Sequence, residues 1–240
     1  MCTVSFTRVN DAVVITSNRD EHIQRENADA PAFKAIPGKK IIFPKDARAG
    51  GSWFAAADNG VVAVLLNGAF KKHTPQPPYR KSRGLILLDM IEANEPFPFF
   101  KALNLENIEP FTIVLYQPGQ LHELRWDGTN KHEKQLVISL SYIWSSATLY
   151  SDEIIDQREA LFQQFMDSQA VSAAGIYDFH ASNNGDTENG FIINRQTGMR
   201  TFSITQAVVN NDAVNFLHSD LLLQKNYTEI LSLNQTAITV

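Results

Sequence analysis

The chain has 240 residues, a formal charge of −5 and one cysteine. With 44% hydrophobic and 20% charged residues, it is neither a disordered chain, a disulfide scaffold nor a surface coated for nucleic acid. No stretch approaches the roughly 18 apolar residues of a membrane span, and Thr3, Ser5, Thr7 and Arg8 interrupt any signal-like start. No integral membrane segment is therefore expected, and cytoplasm is the expected compartment.

Along the chain, Cys2, Val4 and Phe6 alternate with Thr3, Ser5 and Thr7, the two-residue period of a half-buried strand. Asn10-Asp11 turns the chain, and Ala12 to Thr16 returns as a β-branched strand ending in polar Ser17 to His22. Residues 23–50 carry Pro31, Pro37 and Pro44 and little periodicity beyond Ile41 to Phe43, so they read mostly as loop. Ser52 to Ala57 and Val61 to Leu66 flank Asp58-Asn59-Gly60 as a second hairpin, closed by Asn67-Gly68. The basic stretch 71–83 follows as an exposed, irregular loop. From Ser82, the spacing of Leu85, Ile86, Leu88, Met90 and Ile91 predicts an amphipathic helix, with a short helical piece at Pro98 to Leu103.

Phe111 to Gln117 and Gln120 to Trp126 read as a third hairpin, extended into a meander by Gln135 to Leu140. Ser151 caps a predicted helix to about Met166, with Ile154, Ile155, Leu161, Phe162 and Phe165 on one side. A further helix is expected over Gln169 to Phe179, then a polar loop over 180–189. Strands at Gly190 to Asn194, Arg200 to Val209, Ala213 to His218 and Asp220 to Leu231 complete the chain. Antiparallel hairpins before and after the helices, without a repeat, predict one α+β domain over 1–240: sheets covered by helices.

Cys2 has two readings. A free thiol ordinarily packs as a small hydrophobe. A small second residue also permits removal of Met1, leaving an α-amine beside the thiol. That amine, with a pKa of about 7.7–8.0, is a built-in base for making a thiolate. The first hairpin brings residue 2 opposite about residue 19, so Arg19 and Asp20 are expected beside it, although the register leaves open which of them faces inward. Asn18-Arg19-Asp20-Glu21 is otherwise a solvated turn. Asn67-Gly68 is either a plain turn or an oxyanion hole made by a carboxamide and a neighbouring N–H. Gly50-Gly51 permits tight backbone approach, and Trp53 lines a pocket or fills the core. Arg200 reads as a surface arginine or as a pocket residue. The six histidines lack zinc-type spacing and phosphate loops are absent, so neither metal nor cofactor is expected. Lys71, Lys72, His73, Arg80, Lys81 and Arg83 form a solvated loop or rim a pocket for an anionic small molecule.

Met1-Cys2, NRDE at 18–21, LLNG ending at Gly68, GGSW at 50–53, KSRG at 81–84 and GMRTFSI at 198–204 together resemble the NRDE family, also called the transport and Golgi organisation family. The resemblance implies a four-layer αββα sandwich of the N-terminal-nucleophile (Ntn) hydrolase type. More distantly, the start is similar to the cysteine Ntn hydrolases of the choloylglycine hydrolase and penicillin acylase type, which cleave linear amides. That similarity implies catalytic roles for Cys2, Arg19, Asp20, Asn67 and Arg200, with Glu21 as the alternative to Asp20. Asn18, Glu21, Trp53 and Gly68 would then contact substrate. The other function left open is a non-enzymatic carrier or trafficking protein for haem or an acyl or lipid ligand on the same scaffold. No oligomeric state is implied.

Overall fold

The computed structural model describes residues 3–168 and 171–234. The first hairpin forms as the alternation requires: β1 (Thr3–Val9) pairs with β2 (Ala12–His22), Thr3 opposite Asn18 and Val9 opposite Ala12. Cys2 lies outside the described residues. Residues 23–50, expected to be mostly loop, instead hold β3 (Asp29–Ile36) and β4 (Lys39–Lys45). β3 is an edge strand, exposed along most of its length, so no burial pattern marks it. Pro31 and Pro44 both fall where its pairing with β4 is irregular, between the Asp29–Lys45 and Ala32–Phe43 pairs.

β5 (Phe54–Ala57), β6 (Val62–Asn67), β7 (Phe111–Gln117), β8 (Gln120–Trp126) and β9 (Lys131–Leu136) complete a seven-stranded antiparallel sheet in chain order from β3. β9 starts four residues before the expected Gln135. Asp127 accepts from the backbone N–H groups of Thr129 and Asn130, which closes the turn tightly and lets pairing resume at Lys131. The second sheet takes its strands from both ends of the chain, in the order β10 (Tyr142–Ser145), β1, β2, β11 (Met199–Val209), β12 (Ala213–Asp220), β13 (Lys225–Ser232). The sequence reading missed β10. It also read Gly190 to Asn194 as a strand, but only the isolated Asn194–Arg200 bridge forms there. The carbonyls of Gly190 and Phe191 are taken by side chains, Arg158 and Asn18, rather than by a ladder. The strand expected from Asp220 begins at Lys225 because Asp220 caps a turn through Leu222 and Leu223.

Four helices cover the sheets: α1 (Arg83–Glu92), α2 (Pro96–Ala102), α3 (Asp152–Met166) and α4 (Ala173–His180). Serine hydroxyls cap three of them, Ser82, Ser151 and Ser172 accepting from the N–H three residues on. The start expected for α4 at Gln169 lies outside the described residues. α3 buries Arg158 and Phe162, whereas Leu161, expected on the inward side, is exposed. α1 packs on β5 and β6, α3 on β10, and α4 on β2 and β11. The sheets face each other through β1 against β6 and β12 against β5, with Val4, Phe6, Ile15, Phe54, Val64 and Phe216 among the apolar side chains of the core. The order of layers is helix, sheet, sheet, helix, an α+β sandwich.

Candidate active site

Alternation along a strand sends the polar run at the end of β2 to two destinations. Arg19 and Glu21 face the space between the sheets, while Asn18 and Asp20 face the helices. Arg19 is 1% exposed, and its guanidinium lies 4.6 Å from the Trp53 ring centroid and 5.5 Å from that of Phe202. Its Nη2 donates to Asp46 at 3.0 Å and lies 3.7 Å from Glu21. Arg25 reaches the same Asp46 carboxylate, 2.9 Å from both oxygens. Burial pushes the Asp46 carboxyl upward. The Ala49 N–H, Arg25 and Arg19 together outweigh that and hold it below the ordinary aspartate range.

The GGSW and KSRG segments meet here. A Cβ on Gly51 would come within 2.4 Å of the Gly84 carbonyl carbon, and one on Gly84 within 2.9 Å of the Ser52 oxygen. Only two glycines allow this crossing of backbones, which is joined by the Ser52 N–H donating to Gly84 O. The crossing sets the first turn of α1 against the end of β2. Between them lies a cavity of about 430 Å³, walled by Arg19, Glu21, Trp53, Asn67, Lys81 and Arg83, with Arg25, Asp46, Tyr79 and Glu109 among the rest. Arg83 is paired with Glu109 at 3.0 Å. Burial lowers its pKa, an effect that Glu109 opposes.

Several sequence expectations meet in this cavity, and others are corrected. Arg19, Glu21, Trp53 and Asn67 all line it. Asn67 also lines a second hollow of about 210 Å³ beside Ser146 and Thr112. The backbone half of the expected oxyanion hole is occupied, because Gly68 N–H donates to Pro110 O at 3.0 Å. Gly68 itself lines the second hollow rather than the cavity; its φ of +81° makes it the turn that ends β6. Arg200 is exposed opposite Glu21 on β11 and is not part of the cavity wall. Asn18, expected to touch substrate, is fully buried on the other face. It donates to the carbonyls of His180 (2.9 Å) and Phe191 (3.1 Å), and its Oδ1 bonds His180 Nδ1.

Asp20 is also buried, 1% exposed, accepting from Thr201 Oγ1 at 2.6 Å and Tyr150 OH at 3.1 Å. It therefore supports the sheet end from beneath. His180 Nε2 completes this layer with Ser5 Oγ at 2.7 Å. Full burial, with Arg158 adding to it, lowers the His180 pKa to about 3, so the ring is neutral. Of the basic loop's charged residues, only Lys81 and Arg83 line the cavity. Lys71, Lys72 and His73 line a separate open hollow. Arg25, Asp46 and Glu109 were missed, because they sit in segments without periodicity or motif. Among the described residues, no three histidine, aspartate or glutamate side chains converge on a metal site.

The sequence profile described as Transport and Golgi organisation 2 matches residues 1–217. No curated protein matches the chain significantly in sequence. The chain is similar in structure to a Caenorhabditis elegans N-acylethanolamine-hydrolyzing acid amidase ortholog: TM-score 0.62 and 9% identity, over 85% of this chain and 92% of that one. It is also similar to a mutant of conjugated bile acid hydrolase from Clostridium perfringens: TM-score 0.55 and 10% identity, over 99% of this chain and 98% of that one. At these identities the likeness establishes the fold, that of the Ntn hydrolases.

Proposed function

The chain belongs to the Transport and Golgi organisation 2 family, and on that premise we propose that it is a cysteine hydrolase of a linear amide (C–N) bond. The observation that carries this reading is the cavity at the end of β2, where Arg19, Glu21, Trp53 and Asn67 converge beside the strand that pairs with the beginning of β1. Removal of Met1 frees the Cys2 α-amine, which takes the thiol proton. The thiolate attacks the amide carbon, and the Asn67 carboxamide donates to the oxyanion. The ammonium returns its proton to the leaving amine as the C–N bond breaks and a thioester forms. Water then attacks the thioester, the amine taking its proton, and the acid leaves as the thiol is restored.

Arg19 binds a polar or anionic part of the substrate or lowers the thiol pKa, and Asp20 holds the sheet end in place. Four cationic and three anionic residues line the wall, and Lys81 is paired with Asp89 beside it, so the lining is charged and ion-paired, which suits a polar guest better than an apolar one. The carrier alternative for haem or a lipid calls for an apolar lining, and this charged wall does not favour it.

The test uses the single thiol. We expect the purified protein to have the mass of a chain lacking Met1, iodoacetamide to label Cys2 faster than free cysteine, and Cys2→Ala to abolish hydrolysis of an N-acyl amide panel. Retention of Met1, or labelling no faster than free cysteine, would overturn the assignment.

A further inference from the structure

Beneath the end of β1 lies a buried cation that the scheme above does not use. Arg158, on α3, is 1% exposed, and none of its hydrogen bonds among the described residues goes to a carboxylate. Its guanidinium is held between two rings, 4.3 Å from the centroids of Tyr150 and Phe191. Its donors are taken by the carbonyls of Asn189 and Gly190, both at 2.7 Å, by Ser145 Oγ at 3.0 Å, and by Thr3 Oγ1. Leaving a buried cation without a hydrogen-bonded counter-ion is costly, so this arrangement calls for a reason beyond packing.

Where the bonds land supplies that reason. Thr3 and Ser145 are partners across the β1–β10 ladder, the last pair at that end among the described residues. Strand ends fray, and β10 is both short and an edge strand. Arg158 grips both members of the terminal pair at once from a helix 13 and 155 residues away in sequence. The same guanidinium lies over the Tyr150 ring, whose hydroxyl donates to Asp20 at 3.1 Å. The end of β1, the end of β2 and the first part of α3 are thereby locked to one charge.

We infer that Arg158 is a positioning residue for the amide-hydrolysing reaction, fixing the start of β1, the strand that the proposed nucleophile precedes in sequence. This rests on the proposal that Cys2 is the nucleophile. Misplacement of a reacting atom by about 1 Å costs on the order of 100-fold in rate, so a frayed β1 end would be felt in chemistry before it is felt in folding.

The experiment measures the iodoacetamide labelling rate of the protein's single cysteine from pH 5 to 9 in the full chain, for the natural protein, Arg158→Met, Arg158→Lys and Thr3→Val, with thermal melts in parallel. Arg158→Met is expected to slow labelling by about 10-fold or more across this pH range. Arg158→Lys keeps the charge but cannot reach Thr3, Ser145 and both carbonyls at once, so it restores only part of the rate. Thr3→Val cuts the grip on β1, so it slows labelling as well, and combining it with Arg158→Met adds little to the rate loss. Should Arg158→Met fail to fold, the lysine and valine variants decide. A natural protein that labels no faster than free cysteine sinks the hydrolase reading itself. Rapid labelling in the natural protein with an unchanged rate in the folded variants overturns the role of Arg158 alone.

Discussion

The two faces of β2 at its polar end are built to opposite rules. On the face toward the other sheet, Arg19, Arg25, Glu21 and Asp46 form ion pairs that border open space, one of them as long as 3.7 Å. On the face toward the helices, Asn18, Asp20, His180 and Arg158 are buried and bonded to backbone and hydroxyl groups. The first arrangement leaves groups able to rearrange around a guest. The second holds the strand that carries them. Sequence neighbours one residue apart therefore differ in kind: one face borders the cavity, the other supplies rigidity.

The most severe way to break this comparison is to cut the buried face. Asn18→Ala leaves two carbonyls and His180 Nδ1 without their partner and should cost about 3 kcal/mol, because unsatisfied buried groups cost about 1–3 kcal/mol each and some relaxation is expected. For a chain of this size, each kcal/mol lowers the melting temperature by about 2–4 °C. Glu21→Gln, three residues on but facing the cavity, should change stability by less than about 0.5 kcal/mol, because its ion pair with Arg19 is long and partly exposed. Thermal melts of the two variants measure the contrast directly, and equal losses would erase it.

Acid tests whether both faces share one feature, a buried neutral histidine. His180 belongs to the helix side. His218, beside Trp53 on the inter-sheet side, is lowered to about 4 by burial, with Arg19 adding and Asp220 opposing. Both folded pKa values lie below the unfolded value of about 6.5, so the unfolded chain binds protons first. The stabilisation is complete above that value and is lost as pH falls towards about 4 for His218 and about 3 for His180. By pH 5 each histidine should remove about 2 kcal/mol, read as a falling urea midpoint between pH 7 and 5. A midpoint constant over that range would contradict the burial of both rings as neutral groups.

The smallest effect is expected at Arg200. Arg200→Ala should leave stability within about 0.5 kcal/mol and the Cys2 labelling rate unchanged, since the side chain is exposed and lies off the cavity wall. A large loss of labelling would return Arg200 to the site.

The first hairpin, the helix start at Ser82, the Ser151 cap and the layered α+β class could be read from the residue pattern, whereas the hairpin's register could be read only to within a residue or two. Each is a local rule: alternation sets a strand, and a serine hydroxyl sets a helix start. The same rules located the NRDE run beside the beginning of β1, and the double glycine at 50–51 marked a close backbone approach, although Gly84 as its partner carried no local signal. They could not assign faces, because a one-residue change of register exchanges every side chain's destination. Asn18 thus passed from expected substrate contact to buried strut, and Arg200 from the pocket to the surface.

Alternation, turns and caps marked most of the strands, the helices and the neighbourhood of the candidate site, but not β3, β4 or β10. Tertiary structure alone decided which charges meet there. Asp46 reaches Arg19 and Arg25 across segments with no pattern, and Arg158 reaches Thr3 across 155 residues. Such contacts arise from the packing of whole layers, where side-chain reach and desolvation act between elements, and no local periodicity encodes them.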